Sequence, residues 1–190
     1  VGGRAIRPSI QGSSLGWVSD DMFLLKSFPK EIVIVGAGYI ACEFSCILQG
    51  LGVQVTQLVR GESILRGFDL ELSLSLSEAM TDKGINFKFG ENVSSIKGKP
   101  GSLIVRTTSD KEFDTNGLLF ATGREPFLDG LKLIQSGVES IDKKIKVNNE
   151  NKTNIPNIFA IGDVTNKINL TPLAIDEGRS FADRIFGKVN

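Results

Sequence analysis

The sequence predicts an α/β fold built on a buried parallel sheet, and three observations carry that prediction. A compact β-branched run, Ile32-Val33-Ile34-Val35, lies between Pro29 and Gly36, as a strand covered on both faces does. A helical stretch and a second strand follow it at once, and a strand–helix–strand unit implies a parallel pair joined by a right-handed crossover. The third is composition: 190 residues, 41% hydrophobic and 23% charged, have the balance of a soluble globular chain with enough apolar material for a core. That length suits one large domain or two small ones.

The elements follow in order. Residues 1–30 carry the turn formers Pro8, Gly12, Gly16 and Pro29 and read as a connecting segment, with a turn of helix near Asp20–Lys26. After the strand at 32–35, Ile40, Phe44, Ile47 and Leu51 recur at helical spacing, and Gly50 and Gly52 end the helix. Val53, Val55 and Val59 are in phase for a second strand over 53–60. Residues 69–83 alternate like a strand, yet Phe68, Leu72, Leu76 and Met80 also share one helical face. Asp69 as cap and Gly84 as stop favour the helix. Short strands near 85–89, 93–97, 102–107 and 111–115 read as a β-meander. Leu118–Ala121 is a buried strand, 137–155 a polar zone with short strands at most, 158–161 a final buried strand and 171–186 a helix.

Composition also excludes chemistry. Lys plus Arg and Asp plus Glu both total 22, so the net charge is zero, without the positive excess that sequence-independent nucleic-acid binding needs. The chain has no histidine, which rules out a Ser-His-Asp triad or a histidine base within it. Its two cysteines, Cys42 and Cys46, cannot make a Cys₄ zinc site, and no metal site is expected. They also suit a reducing compartment. No apolar run approaches the ~20 residues of a membrane helix, and the start has no signal-peptide pattern. The expected location is cytoplasmic, or an organelle stroma or matrix.

The sharpest local signal is Gly36-Ala37-Gly38-Tyr39-Ile40-Ala41, which follows a strand and opens a helix. Gly36 allows a tight turn, Gly38 lets the backbone approach a pyrophosphate, and Ala41 keeps the helix near the sheet. The pyrophosphate of a dinucleotide would then lie on free N–H groups at the positive end of the helix. An enzyme that uses NAD places a carboxylate about twenty residues on, at the tip of the second strand. Here that position is Val59, followed by Arg60, with Arg66 across a short loop. A guanidinium grips phosphate through two parallel hydrogen bonds, so the pair favours the 2′-phosphate of NADPH over NADH.

These segments resemble the glutathione reductase family of flavin- and pyridine-nucleotide-dependent disulfide reductases. Residues 36–44 are similar to its NADPH loop and residues 59–69, Val-Arg-Gly-Glu-Ser-Ile-Leu-Arg-Gly-Phe-Asp, to its phosphate-gripping segment. Ala121-Thr122-Gly123-Arg124 resembles the strand end that closes its NADPH domain. Thr153 with Ala160-Ile161-Gly162-Asp163 resembles its second flavin motif, and Asn169-Leu170-Thr171-Pro172 its flavin-facing helix start. The resemblance implies that Ala37, Ile40 and Glu43 line the NADPH site and that Tyr39 covers the nicotinamide pocket. It gives Arg60 and Arg66 the 2′-phosphate, and Gly123 and the Asn169 backbone the nicotinamide half. Asp163 would bind the ribityl chain of FAD, and the Thr171 N–H would face the flavin pyrimidine. Arg179 matches a position that can hold a carboxylate of glutathione disulfide, where trypanothione reductases tend to have a small residue.

The implied fold is a Rossmann-like three-layer nucleotide-binding domain with a β-meander over residues 1–126, then a partial FAD-contacting central segment over residues 127–190. Cys42 and Cys46 are not the redox pair, because that pair has the spacing Cys-x₄-Cys in a segment this chain lacks. Both read as small buried residues of the helix. No catalytic residue is expected in the chain, which reads as an excised piece of an enzyme, a homodimer when whole, that binds NADPH weakly and retains no FAD. Alternatives are a trypanothione reductase, a dihydrolipoamide-dehydrogenase-like enzyme or a stand-alone nucleotide-binding module.

Overall fold

A computed structural model describes residues 2–187. The chain runs β1 (Gly3–Ala5), β2 (Trp17–Val18), α1 (Ser19–Met22), β3 (Glu31–Val35), α2 (Tyr39–Gly50), β4 (Gln54–Val59) and α3 (Leu70–Asp82). It continues through β5 (Asn86–Phe89), β6 (Val93–Lys99), β7 (Ser102–Thr107), β8 (Glu112–Thr115), β9 (Gly117–Phe120) and β10 (Arg124–Pro126). The last elements are α4 (Leu133–Ser136), β11 (Ser140–Ile141), β12 (Lys144–Ile145) and α5 (Thr171–Phe186). Ala5–Gly123 form one compact unit, and the residues up to Arg4 with those from Arg124 onward form the other.

The first unit is a sandwich of three layers around a five-stranded sheet in the order β2-β9-β3-β4-β5, with every pairing parallel. The period of two along β3 explains the layers. Ile32 and Ile34 face a cluster with Ala41, Leu48 and Met80 of the helices, whereas Val33 and Val35 face Ile96, Leu103 and Val105 of the meander. Each fully buried side chain of this kind contributes roughly 1.5–3 kcal/mol. A central strand with two apolar faces therefore ties both outer layers to one sheet.

The segment before residue 30 is more than a connector, because Trp17 and Val18 pair with Leu119 and Phe120 at the sheet edge. Its helical turn lies at Ser19–Met22. The strand near 85–89 does not join the meander. As β5 it pairs parallel with β4, and the meander is β6-β7-β8 alone. An alternating pattern shows that a strand is half-buried but not which strand it will meet.

The helix faces differ too. α2 buries Ala41, Cys42, Ser45 and Leu48, while Ile47 and Leu51 of the expected stripe are each 55% exposed. Small residues face the sheet because they let the helix come close. Cys46 is exposed, against the expectation that both cysteines are buried. α3 forms with Asp69 as its N-cap, the carboxylate accepting from the Leu72 N–H at 3.1 Å. Of its expected face only Met80 is buried, with Ser73 beside it on the sheet side, while Phe68, Leu72 and Leu76 are exposed.

The second unit holds a smaller core of Val138, Ile145, Ala160 and Val164. The expected strand at 158–161 is absent. Phe159 makes one antiparallel bridge to Lys152, and a single bridge is no ladder. The helix at 171–186 is present as α5.

The burial pattern of α3 makes a paired prediction. Met80→Ala should cost about 2–4 kcal/mol in urea-unfolding stability, while Leu72→Ala should stay within about 0.5 kcal/mol. Equal costs would show that α3 presents its other face to the sheet.

Candidate functional site

Parallel register brings the chemistry to one edge. Val35 is opposite both Leu58 and Phe120, so β3, β4 and β9 end at one level and their following loops meet there. Between the loops lies a cleft of about 370 Å³, lined by Gly36, Ala37, Gly38, Arg60, Arg66 and Gly123 among others. Six of the residues singled out in the sequence thus converge on one concave surface.

The glycines are needed there for different reasons. Gly36 has φ +144°, and a Cβ on it would collide with the Ala121 carbonyl oxygen. Gly38 is the N-cap of α2, supplies no side-chain cap, and has no atom within 4 Å of where its Cβ would be. That space at an uncapped helix N-terminus is where a phosphate group fits. Arg60 and Arg66 are exposed, and their guanidinium groups have no ion-pair or hydrogen-bond partner among the described residues, Glu62 included. Two unpaired guanidinium groups at the rim make this end of the cleft positive.

Two supports of the loop have no signature in the sequence. Gln57 is fully buried. Its amide donates to the Gly36 carbonyl at 3.0 Å and accepts from the Ser45 hydroxyl at 2.8 Å. Gln57 is in phase with Val55 and Val59, so by pattern it is an odd polar residue on an apolar face; its partners explain it. The Leu65 N–H donates to the Ala37 carbonyl at 2.6 Å and clasps the arginine loop to the glycine loop. Next to the cleft, Glu91 is 4% exposed and accepts from Lys111 Nζ at 2.7 Å and Ser109 Oγ at 2.6 Å. These donors, Lys111 first, lower its pKa to about 2.

The remaining expected residues are dispersed. Tyr39, Ile40, Ala41 and Glu43 do not line the cleft: Ala41 is buried against the sheet and Glu43 is exposed on α2. Ser63 and Thr122, which lie within two of the quoted segments, do line it, as does Asn92, which has no signature in the sequence. Cys42 and Cys46 are both free, and burial pushes the Cys42 thiol pKa up, away from thiolate character.

In the other unit, Asp163 sits in a short 3₁₀ turn (Gly162–Thr165), close enough to Gly3 that a Cβ there would be 2.8 Å from its Oδ2. The Gly162 N–H donates to Glu177 Oε2 at 2.7 Å, which ties that turn to α5. Thr171 and Pro172 open α5, whose N-cap Leu170 offers no side-chain cap. Asn169 precedes this start and donates to Asn166 at 3.0 Å. Arg179 lies exposed along α5. The described residues hold no group of three His, Cys, Asp or Glu that could bind a metal, and no helix long and apolar enough to cross a membrane.

A glycine turn from a parallel strand into an uncapped helix, with cations at the next strand tip, defines a dinucleotide-binding α/β protein. Known proteins place it further. Residues 1–178 match the pyridine nucleotide-disulphide oxidoreductase family, and the chain belongs to that family. It is 42% identical to a glutathione reductase of Nostoc sp., covering 98% of this chain and 44% of that protein. A glutathione reductase of Burkholderia cepacia is also 42% identical (98% and 42% covered), and mitochondrial thioredoxin reductase 2 of Drosophila melanogaster is 40% identical (98% and 37%). The fold matches an HOCl-induced flavoprotein disulfide reductase, RclA of Escherichia coli, with a TM-score of 0.92 at 25% identity, covering 100% of this chain and 44% of that one. The chain thus spans less than half the length of the relatives it matches. The family and its flavoprotein neighbours imply a flavin and a pyridine nucleotide.

Gly36→Ala should destabilise the first unit by about 1–3 kcal/mol in urea, whereas Gly38→Ala should cost about 1 kcal/mol or less while weakening dinucleotide binding. Glu91 has a folded pKa of about 2 against an ordinary 4.5, so the unfolded chain binds its proton first as pH falls. Its contribution is complete above about pH 4.5 and fades as pH drops toward 2. The stability of Glu91→Gln should therefore fall less steeply than wild type across that window, measured by unfolding at several pH values.

Proposed function

We infer that this chain is the NADPH-binding part, with a portion of the flavin site, of a flavoprotein disulfide reductase that acts on glutathione disulfide. The observation that carries the nucleotide choice is the unpartnered Arg60 and Arg66 pair on the cleft that Gly36 and Gly38 open. A carboxylate at the tip of β4 would repel a 2′-phosphate, and none stands there: β4 ends at Val59 and Arg60 follows.

The residues present fit a dinucleotide. The first turn of α2 would hold the pyrophosphate, Arg60 and Arg66 the 2′-phosphate, and Gly123 the nicotinamide half, with Tyr39 as its cover and Ala37, Ile40 and Glu43 near it. For the flavin, the Asp163 carboxylate would accept from the ribityl hydroxyls. The Thr171 N–H, at the positive end of α5, would stabilise negative charge on the reduced ring. When bound, NADPH supplies a hydride and FAD accepts it for reduction of a disulfide. This chain orients the donor and neutralises its phosphates. It has neither a histidine to move the proton nor a cysteine pair placed for exchange.

Relatives named glutathione reductase support glutathione disulfide as the substrate, and the exposed Arg179 guanidinium suits its carboxylate. One observation favours a second reading, a reductase for a protein disulfide: the Drosophila thioredoxin reductase is nearly as similar.

Binding measurements test the nucleotide choice. The chain should prefer NADPH to NADH. Arg60→Ala and Arg66→Ala should each weaken NADPH about 10- to 100-fold and change NADH by less than about threefold. Equal affinities for the two nucleotides in the unmutated chain would refute the reading. Turnover of glutathione disulfide by the purified chain with NADPH would refute the absence of a complete catalytic site.

A further inference from the structure

Ser63, Asn92 and Thr122 are the uncharged polar side chains on the cleft that the phosphate reading leaves unused, and of these Asn92 alone carries an amide. Asn92 is half-buried, and its side-chain amide has no hydrogen-bond partner among the described residues. An amide in that setting has two donors and an acceptor to satisfy, which water or a ligand must do.

The backbone around Asn92 is held on both sides. The Gly90 N–H donates to the Gly61 carbonyl at 3.1 Å and the Glu91 N–H to the Val59 carbonyl at 3.1 Å, so the loop is joined to the tip of β4. The Asn92 carbonyl accepts from the Thr108 N–H at 2.8 Å, and the neighbouring Glu91 carboxylate is locked by Lys111 and Ser109. The side chain is thus presented by a fixed loop and is not itself fixed by the protein.

Strand order says which part of a dinucleotide it would meet. Along the sheet edge the strands run β9, β3, β4, β5, so Gly123, the glycine loop, Arg60 and Asn92 succeed one another. With pyrophosphate at the glycine loop and the 2′-phosphate at Arg60, Asn92 lies on the side away from Gly123. That is the side of the base attached to the phosphorylated ribose.

We propose that Asn92 is a specificity residue that reads the adenine of the bound dinucleotide. The proposal rests on the NADPH reading above. A carboxamide sets a donor beside an acceptor, matching the N7 acceptor and N6 amino donor on one edge of adenine. Hypoxanthine carries an oxygen in place of that amino group, so the amide oxygen would face another acceptor.

The test compares NADPH with its hypoxanthine analogue by equilibrium binding to the whole chain and to Asn92→Ala. The unmutated chain should bind NADPH about tenfold more tightly than the analogue, and Asn92→Ala should bring the two within about twofold. 2′,5′-ADP, which has the adenine and no nicotinamide, should lose the same factor as NADPH. The urea midpoint of Asn92→Ala should match wild type, because the amide has no protein partner. If the unmutated chain binds both dinucleotides alike, or the preference survives Asn92→Ala, the assignment is overturned while Arg60-dependent NADPH binding stands. If the chain binds neither dinucleotide nor 2′,5′-ADP, the cofactor reading and the assignment fall together.

Discussion

The first unit depends on a close approach that only glycine permits. Val35 pairs with Leu58 on one side and Phe120 on the other, and the next residue must turn out of the sheet toward α2 beside the Ala121 carbonyl. A side chain at position 36 would push β3 and β9 apart at their ends. With the glycine in place, the loops after β3, β4 and β9 leave the sheet at one level. The cleft is the space that remains between them. Gln57 completes the arrangement from within, since its buried amide holds the Gly36 carbonyl that the turn would otherwise leave without a partner.

Charge is distributed by the same logic. The chain is neutral in sum, yet its ionic groups differ in use. Glu91 is surrounded by donors and stays ionised, so it serves the loop that carries it. The Glu177 carboxylate of α5 accepts from the Gly162 N–H and ties that turn to the helix. The guanidinium groups of Arg60 and Arg66 have no such partners among the described residues and stand at the cleft. Glu91 and Glu177 are thus paired within the fold, while Arg60 and Arg66 stand at the cleft unpaired.

Much of the architecture was legible because periodicity reports burial. Ile32–Val35 read as a doubly buried strand, and its alternate residues do enter two separate clusters. The glycine spacing placed the turn and the start of α2, and the carboxyl of Asp69 marked the start of α3. Helix faces were less legible. Hydrophobicity favours large side chains, but α2 lies so near the sheet that Ala41, Cys42 and Ser45 take the inner positions and Ile47 is turned outward. In α3 the small Ser73 joins Met80 on the inner side for a similar reason.

By itself the sequence determined the local events, which need only neighbours along the chain: where the backbone turns, where a helix is capped, and which strands are buried on both faces. Tertiary structure alone decided the partnerships. It sent β5 to the parallel sheet and β6 to the meander, left residues 158–161 without a ladder, and brought Gln57 under Gly36 and Asn92 to the cleft edge. The reason is physical: a hydrogen-bonding edge or an amide has no intrinsic address. Its partner is settled by which surfaces the packed layers bring within reach.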